Sequence, residues 1–318
     1  MLRISHEPQI APRTTLRIGG RAILLASLEK PADAERLPGL SHDNGGEIRA
    51  IGGGSNILAA DGVLPVILAE VRIGRTEKPL VRPAGNVEEL AETGQLPPKA
   101  AAAHAEGDAG MVRLEVGAGT FLPSLQRFCT ENGFAGIEGM CGIPGTVGGA
   151  VAGNAGSFGC DMNGVLLNAT VFTPEDGIEK LGRQDFEIGY RRFAPLGSHE
   201  WFLILSCELL MPKAPAAKLA ETAMRALAGK KASQPIFAKT AGCVFKNPAG
   251  DSAGRLLDAA GFKNRSRGGA RFSPVHANFL ENMDSARFAD ALSLIEEAEN
   301  EVFGRFGTKL EREVRVWQ

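Results

Sequence analysis

The stretch "GIEGMCGIPGTVGGAVAGNAGSFG", residues 136–159, is the most unusual part of this chain, because it holds nine glycines in 24 residues. Branched apolar residues such as Ile143 and Val147 interrupt the glycines, which argues against low-complexity disorder. A second glycine-rich stretch, "IGGGSNIL" at residues 51–58, follows a predicted strand. Glycine has no Cβ and tolerates positive φ, so both stretches predict backbone that passes close to a ligand.

Neither stretch has the pattern of a common nucleotide-binding motif. Neither contains G-x-G-x-x-G or begins an obvious helix after a strand, and the chain has no Walker pattern. Successive N–H groups in a turn such as "GGGSN" form a concave anion site that suits a pyrophosphate. The two stretches therefore predict a large dinucleotide that is held by loops.

Composition indicates a globular protein of more than one domain. The chain has 318 residues, of which 44% are hydrophobic and 23% are charged. A formal net charge of -2 predicts neither nucleic acid nor an anionic membrane as a partner. Five cysteines without a C-x-x-C pair argue against a disulfide framework or a metal site and predict a reducing compartment. No run of apolar residues is long enough to cross a membrane. We expect a cytoplasmic protein.

The apolar pattern predicts an α+β fold. Short runs rich in Ile, Leu and Val predict strands over residues 14–70 and again from residue 112. Phe121, Leu125 and Phe128 have helical spacing, and Gly133 marks the end of that helix. Further helices are predicted at 215–229, 252–262 and within 285–304, and a closing strand is predicted within 308–317.

The quoted stretches resemble one flavoenzyme family. "TLRIGG" (15–20), "IGGGSNIL" and "GIPGTVGGAVAGNAGSFG" are similar to the FAD-binding half of UDP-N-acetylenolpyruvoylglucosamine reductases, whose flavin domain is of the vanillyl-alcohol oxidase/PCMH type. The resemblance continues from about residue 12 to the end through five more motifs, which are "YRRF" (190–193), "AGCVFKNP" (241–248), "AGRLLDAAGFK" (253–263), "GGARFSPVHANFLEN" (268–282) and "EREVRVW" (311–317).

The resemblance implies an FAD-binding domain in two lobes and a C-terminal α+β substrate domain. Residues 76–110 look foreign to the family and are rich in Pro, Ala, Gly and Glu, which predicts an inserted or mobile connection. The predicted boundaries are 1–75 for lobe 1, 76–110 for the connection, 111–212 for lobe 2, 213–310 for the substrate domain and 311–318 for a closing strand that carries Glu313.

The resemblance also implies a reaction. NADPH reduces FAD, and a hydride then passes to the enolpyruvyl group of a UDP-N-acetylglucosamine derivative, giving UDP-N-acetylmuramate for peptidoglycan synthesis. That step requires a cation beside the substrate carboxylate, a second polar group near it and a proton donor. The implied partners are the small-molecule substrate and NADPH, without an obligate protein partner.

Three residues match the positions that the family uses for these tasks. Arg191 corresponds to the carboxylate-binding arginine, whose guanidinium stays charged and can donate two parallel hydrogen bonds. Glu313 corresponds to the second polar group, and Glu311 is its alternative because both would share one face of a strand. Cys243 stands where the family usually has a serine that donates the proton.

A thiol can serve as the proton donor, because its ordinary pKa of about 8.5 keeps it protonated at neutral pH and makes it more acidic than an alcohol. We therefore expect Cys243 to be the general acid and Lys246 to stabilise the thiolate. The alternative is that Cys243 only fills the place of serine.

Other residues are assigned by the same match. The predicted cofactor residues are Gly52, Gly53, Gly54, Ser55, Asn56, Gly142, Ile143, Pro144, Gly145, Thr146, Gly149, Ala150, Gly153, Asn154 and Ala155. The predicted substrate residues are Tyr190, Lys246, Asn247, His276 and Asn278. Asn247 has a turn before Pro248 as its alternative role, and His276 has that of a satisfied core histidine. Tyr190 is the single tyrosine, so we expect the shorter class of the family, which lacks a substrate-covering tyrosine loop.

Two other functions fit part of the pattern. Another FAD-dependent oxidase or dehydrogenase of the same superfamily would share the glycine stretches but has no use for "AGCVFKNP". A flavin-binding protein without catalysis would explain the cysteine in the place of serine, although the presence of Arg191 and Glu313 argues against it.

Overall fold

Strands occur along the whole of the computed structural model, which describes residues 2–107 and 110–318. In chain order they are β1 (Arg3–His6), β2 (Arg21–Leu28), β3 (Glu47–Ile51), β4 (Ile57–Ala59), β5 (Val63–Val71), β6 (Leu80–Pro83), β7 (Met111–Gly117), β8 (Gly156–Ser157), β9 (Cys160–Asp161), β10 (Leu166–Thr173), β11 (Gly177–Leu181), β12 (Phe186–Gly189), β13 (Arg192–Pro195), β14 (Leu203–Pro212), β15 (Thr240–Cys243), β16 (Ser266–Arg267), β17 (Ala270–Phe272), β18 (Phe279–Asn282) and β19 (Arg315–Trp317).

The α-helices are α1 (Leu37–Asn44), α2 (Val87–Glu92), α3 (Pro98–Ala105), α4 (Leu122–Asn132), α5 (Val147–Ala152), α6 (Ala216–Ser233), α7 (Ala253–Ala259) and α8 (Phe288–Phe306). The predicted α+β class is confirmed, as are the four predicted helices, which correspond to α4, α6, α7 and α8. The closing strand is shorter than predicted, since β19 begins only at Arg315. Among the helices in the described ranges, none combines the length and apolar character that crossing a membrane requires.

The chain forms two compact units. Unit 1 comprises residues 1–4, 26–52 and 67–228, and unit 2 comprises residues 5–25, 53–66 and 229–318. The predicted domain boundaries remain a prediction.

The core of unit 1 lies on one face of a five-stranded sheet with the order β11-β10-β14-β7-β6. Along β7, Val112, Leu114 and Val116 are buried and the residues between them are partly exposed. Period-two alternation places the buried residues on one face. Leu122 and Leu125 of α4 belong to the same buried cluster, so this amphipathic helix covers that face.

The segment at 76–110 contains more regular structure than its composition suggested. β6 pairs antiparallel with β7. Ala100 of α3 is fully buried and packs with Leu167 and Leu210. The sequence contains few large apolar residues here, but alanine lets a helix approach a sheet closely and so buries the larger side chains of its neighbours. Residues 108–109 lie outside the described part, and the identity of the segment as an insertion remains a prediction.

Unit 2 is built around a four-stranded sheet with the order β15-β18-β17-β16, together with α7 and α8. Phe245, Phe262 and Phe272 are among its largest fully buried side chains. The rings of Phe262 and Phe272 meet edge to face with their centroids 5.5 Å apart. One face of α8 supplies Ala291, Leu294, Ile295, Ala298 and Val302 to this core.

Helices α4 and α8 each end at a glycine in the left-handed conformation, with φ of 72° at Gly133 and 65° at Gly307. A Cβ on Gly133 would lie 2.6 Å from the carbonyl oxygen of Ala214. A Cβ on Gly307 would meet no atom within 4 Å. The two sites therefore share their backbone geometry and differ in the available space.

We expect Gly133→Ala to lower the free energy of unfolding more than Gly307→Ala does. Gly307→Ala should cost about 1–2 kcal/mol, because it only places a Cβ in the left-handed region. Gly133→Ala should cost roughly 1–3 kcal/mol more, because the Ala214 backbone must also move. Denaturant unfolding followed by circular dichroism measures both losses, and equal losses would contradict the argument.

Candidate active site

The glycine-rich segment at 142–155 belongs to unit 1 and is partly helical. Gly142 and Gly145 turn with φ of 84° and 110°, and α5 follows. The hydroxyl of Thr146, the N-cap, accepts a hydrogen bond from the N–H of Gly149 at 3.5 Å. Glycine disfavours helices, so the sequence analysis did not anticipate α5. The available signal was a threonine before a short run of small residues, which is a typical N-cap.

One side of this segment is buried and the other presents bare backbone. Thr146 and Val147 are buried, whereas Gly142, Pro144 and Gly149 are exposed. The exposed positions carry no charge and, at the glycines, no Cβ, so another molecule can approach their backbone closely. The other predicted cofactor residues here are half-buried or buried, and they are Ile143, Gly145, Ala150, Gly153, Asn154 and Ala155.

Gly52 brings the first glycine stretch against the second. A Cβ on Gly52 would lie 2.3 Å from the hydroxyl oxygen of Thr146, a distance that real Cβ atoms do not reach. Only glycine therefore lets the 51–52 backbone pass the start of α5. The two stretches were predicted to serve one ligand, and within unit 1 the structure places Gly52 beside Thr146.

Arg191 lies in a tight hairpin turn of unit 1. Gly189 of β12 pairs with Arg192 of β13, so Tyr190 and Arg191 form a two-residue turn. Arg191 has φ of 56°, which is unusual for a residue with a side chain and which costs energy. Its guanidinium carbon lies 5.1 Å from the centroid of the Tyr190 ring, and Tyr190 is 55% exposed.

Asn154 connects this hairpin to the glycine-rich segment. Its Nδ2 donates to the carbonyl of Gly189 at 2.9 Å, and its Oδ1 accepts from the N–H of Asn163 at 2.9 Å. Its own carbonyl oxygen lies 3.5 Å from Nη1 of Arg191. The structure therefore brings Arg191 and Tyr190 beside one predicted cofactor residue, whose buried amide bonds to backbone groups.

In unit 2, four chain segments lie side by side and are joined by hydrogen bonds. We call residues 276–279, 243–246, 311–315 and 56–59 the four-segment row. Cys243 pairs with Phe279, and Phe245 forms an antiparallel bridge with Arg312. Residues 57–59 pair in parallel with 315–317. The row therefore joins parts of four motifs that are separated in the sequence.

The backbone of Glu313 is hydrogen-bonded to Val244, the residue that follows Cys243. The carbonyl oxygen of Val244 accepts from the N–H of Glu313 at 2.8 Å and from the N–H of Val314 at 3.2 Å. The carbonyl of Glu313 accepts from Nδ2 of Asn56 at 3.0 Å. Cys243 and Glu313 are both half-buried. The predicted proton donor and the predicted second polar group thus lie on neighbouring segments.

The first glycine stretch continues into unit 2 at Gly53. Gly54 is buried with φ of 62°, and a Cβ on it would lie 2.0 Å from the carbonyl oxygen of Arg13. The N–H of Thr15 donates to the carbonyl of Gly54 at 3.1 Å. Gly53 and Ser55 are half-buried.

Two substrate predictions fall on residues with clear structural tasks. The ammonium of Lys246 forms an ion pair and a hydrogen bond with the carboxylate of Glu311. The predicted use of Lys246 to stabilise a thiolate therefore competes with this ion pair. The side-chain oxygen of Asn247 accepts from the N–H of Ala253 at 3.0 Å, at the first residue of α7.

His276 packs against its own loop, whereas the side chain of Asn278 bonds to a neighbouring segment. Nδ1 of His276 accepts from the N–H of Asn278 at 3.2 Å, and its ring meets Phe279 edge to face at 5.0 Å. Asn278 is 2% exposed, and its amide bonds to both backbone groups of Phe245. The geometry of His276 is that of a packed, hydrogen-bonded histidine.

The sequence analysis did not identify Val244 and Phe245 as residues that shape this region. Their contribution is made by backbone groups and by a buried ring, and no residue type signals a shared carbonyl. A cavity of about 430 Å³ on the sheet of unit 1 was also unexpected. Its lining includes Lys78, Glu115 and Lys180 and contains none of the predicted site residues.

Burial lowers the pKa of His276 below its usual value, a backbone hydrogen bond opposes this change, and nearby Lys263 adds to it. Protonation would also turn Nδ1 into a donor facing the N–H of Asn278. The neutral ring therefore contributes stability that is complete above the unfolded pKa of about 6.5 and is lost as the pH falls through the lower folded pKa.

We expect the free energy of unfolding to fall on acidification from about pH 7 more steeply in the wild type than in His276→Asn, since asparagine keeps an acceptor but does not titrate in this range. Urea unfolding across this pH range measures the two slopes. Parallel curves would contradict the assignment.

Two family models match the chain. Residues 234–317 match the UDP-N-acetylenolpyruvoylglucosamine reductase C-terminal domain, and residues 103–182 match an FAD binding domain. The first match contains most of the four-segment row, and the second contains the glycine-rich segment at 142–155. The chain therefore has an FAD-binding domain, as predicted.

Named relatives extend over nearly the full length. A UDP-N-acetylenolpyruvoylglucosamine reductase of Nitratidesulfovibrio vulgaris is 41% identical over 318 residues, covering 99% of each chain. A protein of the same name from Oleidesulfovibrio alaskensis is 38% identical and covers 98% of this chain and 96% of its own.

A solved structure is similar over the whole chain. The UDP-N-acetylenolpyruvylglucosamine reductase of Thermus caldophilus matches with a TM-score of 0.75 at 28% identity, covering 100% of both chains. Sequence, domain models and structure thus agree, and the chain belongs to the UDP-N-acetylenolpyruvoylglucosamine reductase family.

Proposed function

We propose that the protein reduces UDP-N-acetylglucosamine enolpyruvate to UDP-N-acetylmuramate in the cytoplasm, using FAD and NADPH, as a step in making peptidoglycan precursors. Family membership over 99% of the chain supports the reaction class. The observation that carries the proposal is the Val244 carbonyl, which joins the segments of Cys243 and Glu313 in the region that matches the family's C-terminal domain.

The glycine segments hold the cofactor in this proposal. Exposed backbone at Gly142 and Gly149 accepts a flat ring, and the turn that begins at Gly52 supplies amide groups for the pyrophosphate. FAD, when bound, supplies the hydride that adds to one carbon of the enolpyruvyl double bond.

Cys243 donates the proton that completes the reduction at the other carbon. The S–H bond breaks, a C–H bond forms, and the resulting thiolate takes its next proton from solvent. Cys243 is half-buried, whereas Cys207 is buried and its burial raises the pKa of the thiol to about 12. A water-accessible thiol can exchange its proton in each turnover, which a buried thiol cannot do readily.

Arg191 and Glu313 serve the substrate carboxylate and its neighbouring carbon. The guanidinium of Arg191 offsets the negative charge that develops as the double bond is reduced. Glu313 is the better candidate for the second group than Glu311, because Glu313 is half-buried whereas the Glu311 side chain is 73% exposed. Tyr190, Lys246, Asn247 and His276 remain candidates for contacts with the substrate.

An anaerobic spectroscopic experiment tests the proposal. NADPH should bleach the flavin absorbance of the purified protein, and UDP-N-acetylglucosamine enolpyruvate should then restore it without oxygen. Restoration by oxygen alone would indicate another flavin oxidase or dehydrogenase, and a failure to bleach would indicate a flavin protein without this catalysis. NADH in the place of NADPH measures the nicotinamide preference.

We expect Gly52→Ala to lower the amount of flavin bound per protein chain. The added Cβ would collide with the Thr146 hydroxyl and displace the turn from the start of α5. Gly39→Ala is the matched control, since a Cβ on Gly39 would meet no atom within 4 Å. The ratio of flavin to protein absorbance measures the effect, and equal ratios would contradict the predicted cofactor turn.

We expect Cys243→Ala to keep flavin binding and bleaching by NADPH while reduction of the enolpyruvyl substrate falls by roughly 10²–10⁴-fold, the usual range for a lost general acid. Cys243→Ser should retain much more of the activity, because a hydroxyl can also donate. Stopped-flow absorbance separates the two half-reactions. Unchanged reduction in Cys243→Ala would remove Cys243 from the mechanism.

A further inference from the structure

Asn278 forms hydrogen bonds with the backbone of Val244 and Phe245, the two residues that follow Cys243. Its side-chain Oδ1 accepts from the N–H of Phe245 at 2.9 Å, and its Nδ2 donates to the carbonyl of Phe245 at 2.8 Å. Its main-chain carbonyl accepts from the N–H of Val244 at 2.8 Å. Three hydrogen bonds from one residue therefore fix the two residues that follow Cys243.

The same two residues hold Glu313 on their other side. The Val244 carbonyl accepts from the N–H of Glu313, and Phe245 forms an antiparallel bridge with Arg312. Val244, Phe245 and Asn278 are all buried, so water does not compete for these bonds. A shift of the 244–245 backbone would move Cys243 and Glu313 together or separate them.

We propose that Asn278 is a positioning residue that sets the register between Cys243 and Glu313, a role that rests on the function proposed above. The family resemblance predicted that Asn278 contacts the substrate. Its 2% exposure and its two bonds to Phe245 instead direct its amide to the backbone. Catalytic groups need placement to within about 0.5 Å, so a support of this kind affects the rate without touching the substrate.

The amide is the side chain that this task requires. The N–H and the carbonyl of Phe245 need one acceptor and one donor at a fixed separation, and an amide supplies both. An aspartate has nearly the same shape but, when ionised, cannot donate to the Phe245 carbonyl. Protonation at lower pH would restore the donor, so an Asn278→Asp variant can be switched between the two states.

Asn282 provides a matched control. It is also a buried asparagine of the same loop-and-strand segment, at 9% exposure. Its Nδ2 donates to the carbonyl of Leu16 at 3.0 Å, and its Oδ1 accepts from the N–H groups of Asp284 and Ala286. The side-chain bonds of Asn282 do not reach residues 243–245, so Asn282→Asp changes a comparable buried amide at a different place.

The test compares Asn278→Asp and Asn282→Asp in the flavin-loaded protein. Asn278→Asp should leave the rate of flavin bleaching by NADPH within about twofold, while reduction of the enolpyruvyl substrate falls by roughly tenfold to a hundredfold, as misplacement of a reacting group by about 1 Å does. That loss should diminish as the pH is lowered and the aspartate protonates. Asn282→Asp should show no such difference between the two half-reactions.

A second readout does not depend on activity. The rate at which iodoacetamide alkylates Cys243, followed by peptide mass spectrometry against pH, should change in Asn278→Asp and stay at the wild-type profile in Asn282→Asp. If Asn278→Asp does not fold, Asn278→Ser keeps one polar group, leaves room for water and replaces it in both measurements.

Equal losses in both half-reactions, or an alkylation profile unchanged from wild type, would overturn the positioning role. Failure of the proposed function would look different, because the wild type itself would then not reduce the enolpyruvyl substrate. The alkylation profile would still test whether Asn278 fixes the backbone of Cys243 in that case.

Discussion

The carbonyl oxygen of Val244 is the acceptor on which the arrangement in unit 2 depends. It takes two hydrogen bonds, from Glu313 and from Val314, and so ties the last segment of the chain to the strand of Cys243. Asn278 fixes the same strand from the other side, and Asn56 holds the carbonyl of Glu313. These bonds join residues up to 257 positions apart, and no one of the joined segments would hold this geometry by itself.

Close backbone approach is the corresponding constraint at the glycine stretches. Gly52 passes the N-cap of α5 and Gly54 passes the backbone of Arg13, at separations that exclude a Cβ. The same absence of side chains leaves Gly142 and Gly149 as bare surface beside the buried Thr146. At Gly52 and Gly54, glycine allows close packing, and branched apolar neighbours of the second stretch such as Val147 are buried in the core of unit 1.

Several polar residues in the motifs bond to the protein's own backbone. Asn154 spans two backbone groups, Asn247 caps the start of α7, and Asn278 pairs with Phe245. A motif match marks such residues but does not separate a ligand contact from a support, because an amide performs either task with the same atoms. The charge of Lys246 is likewise engaged within the protein, by Glu311, which belongs to a different motif.

The α+β class, helices α4, α6, α7 and α8, the FAD-binding domain and the family could be predicted from the sequence, because these follow from local periodicity and from motifs that are contiguous in the chain. The sequence also indicated Cys243 as a candidate proton donor. Three features became visible only in the folded chain: helix α5 forms among glycines, Gly52 lies against Thr146, and Val244 joins the segment of Cys243 to that of Glu313. Those features depend on contacts between backbone groups that are far apart in the sequence. Every residue except proline has the same backbone N–H and carbonyl, so the residue types do not reveal which groups will meet.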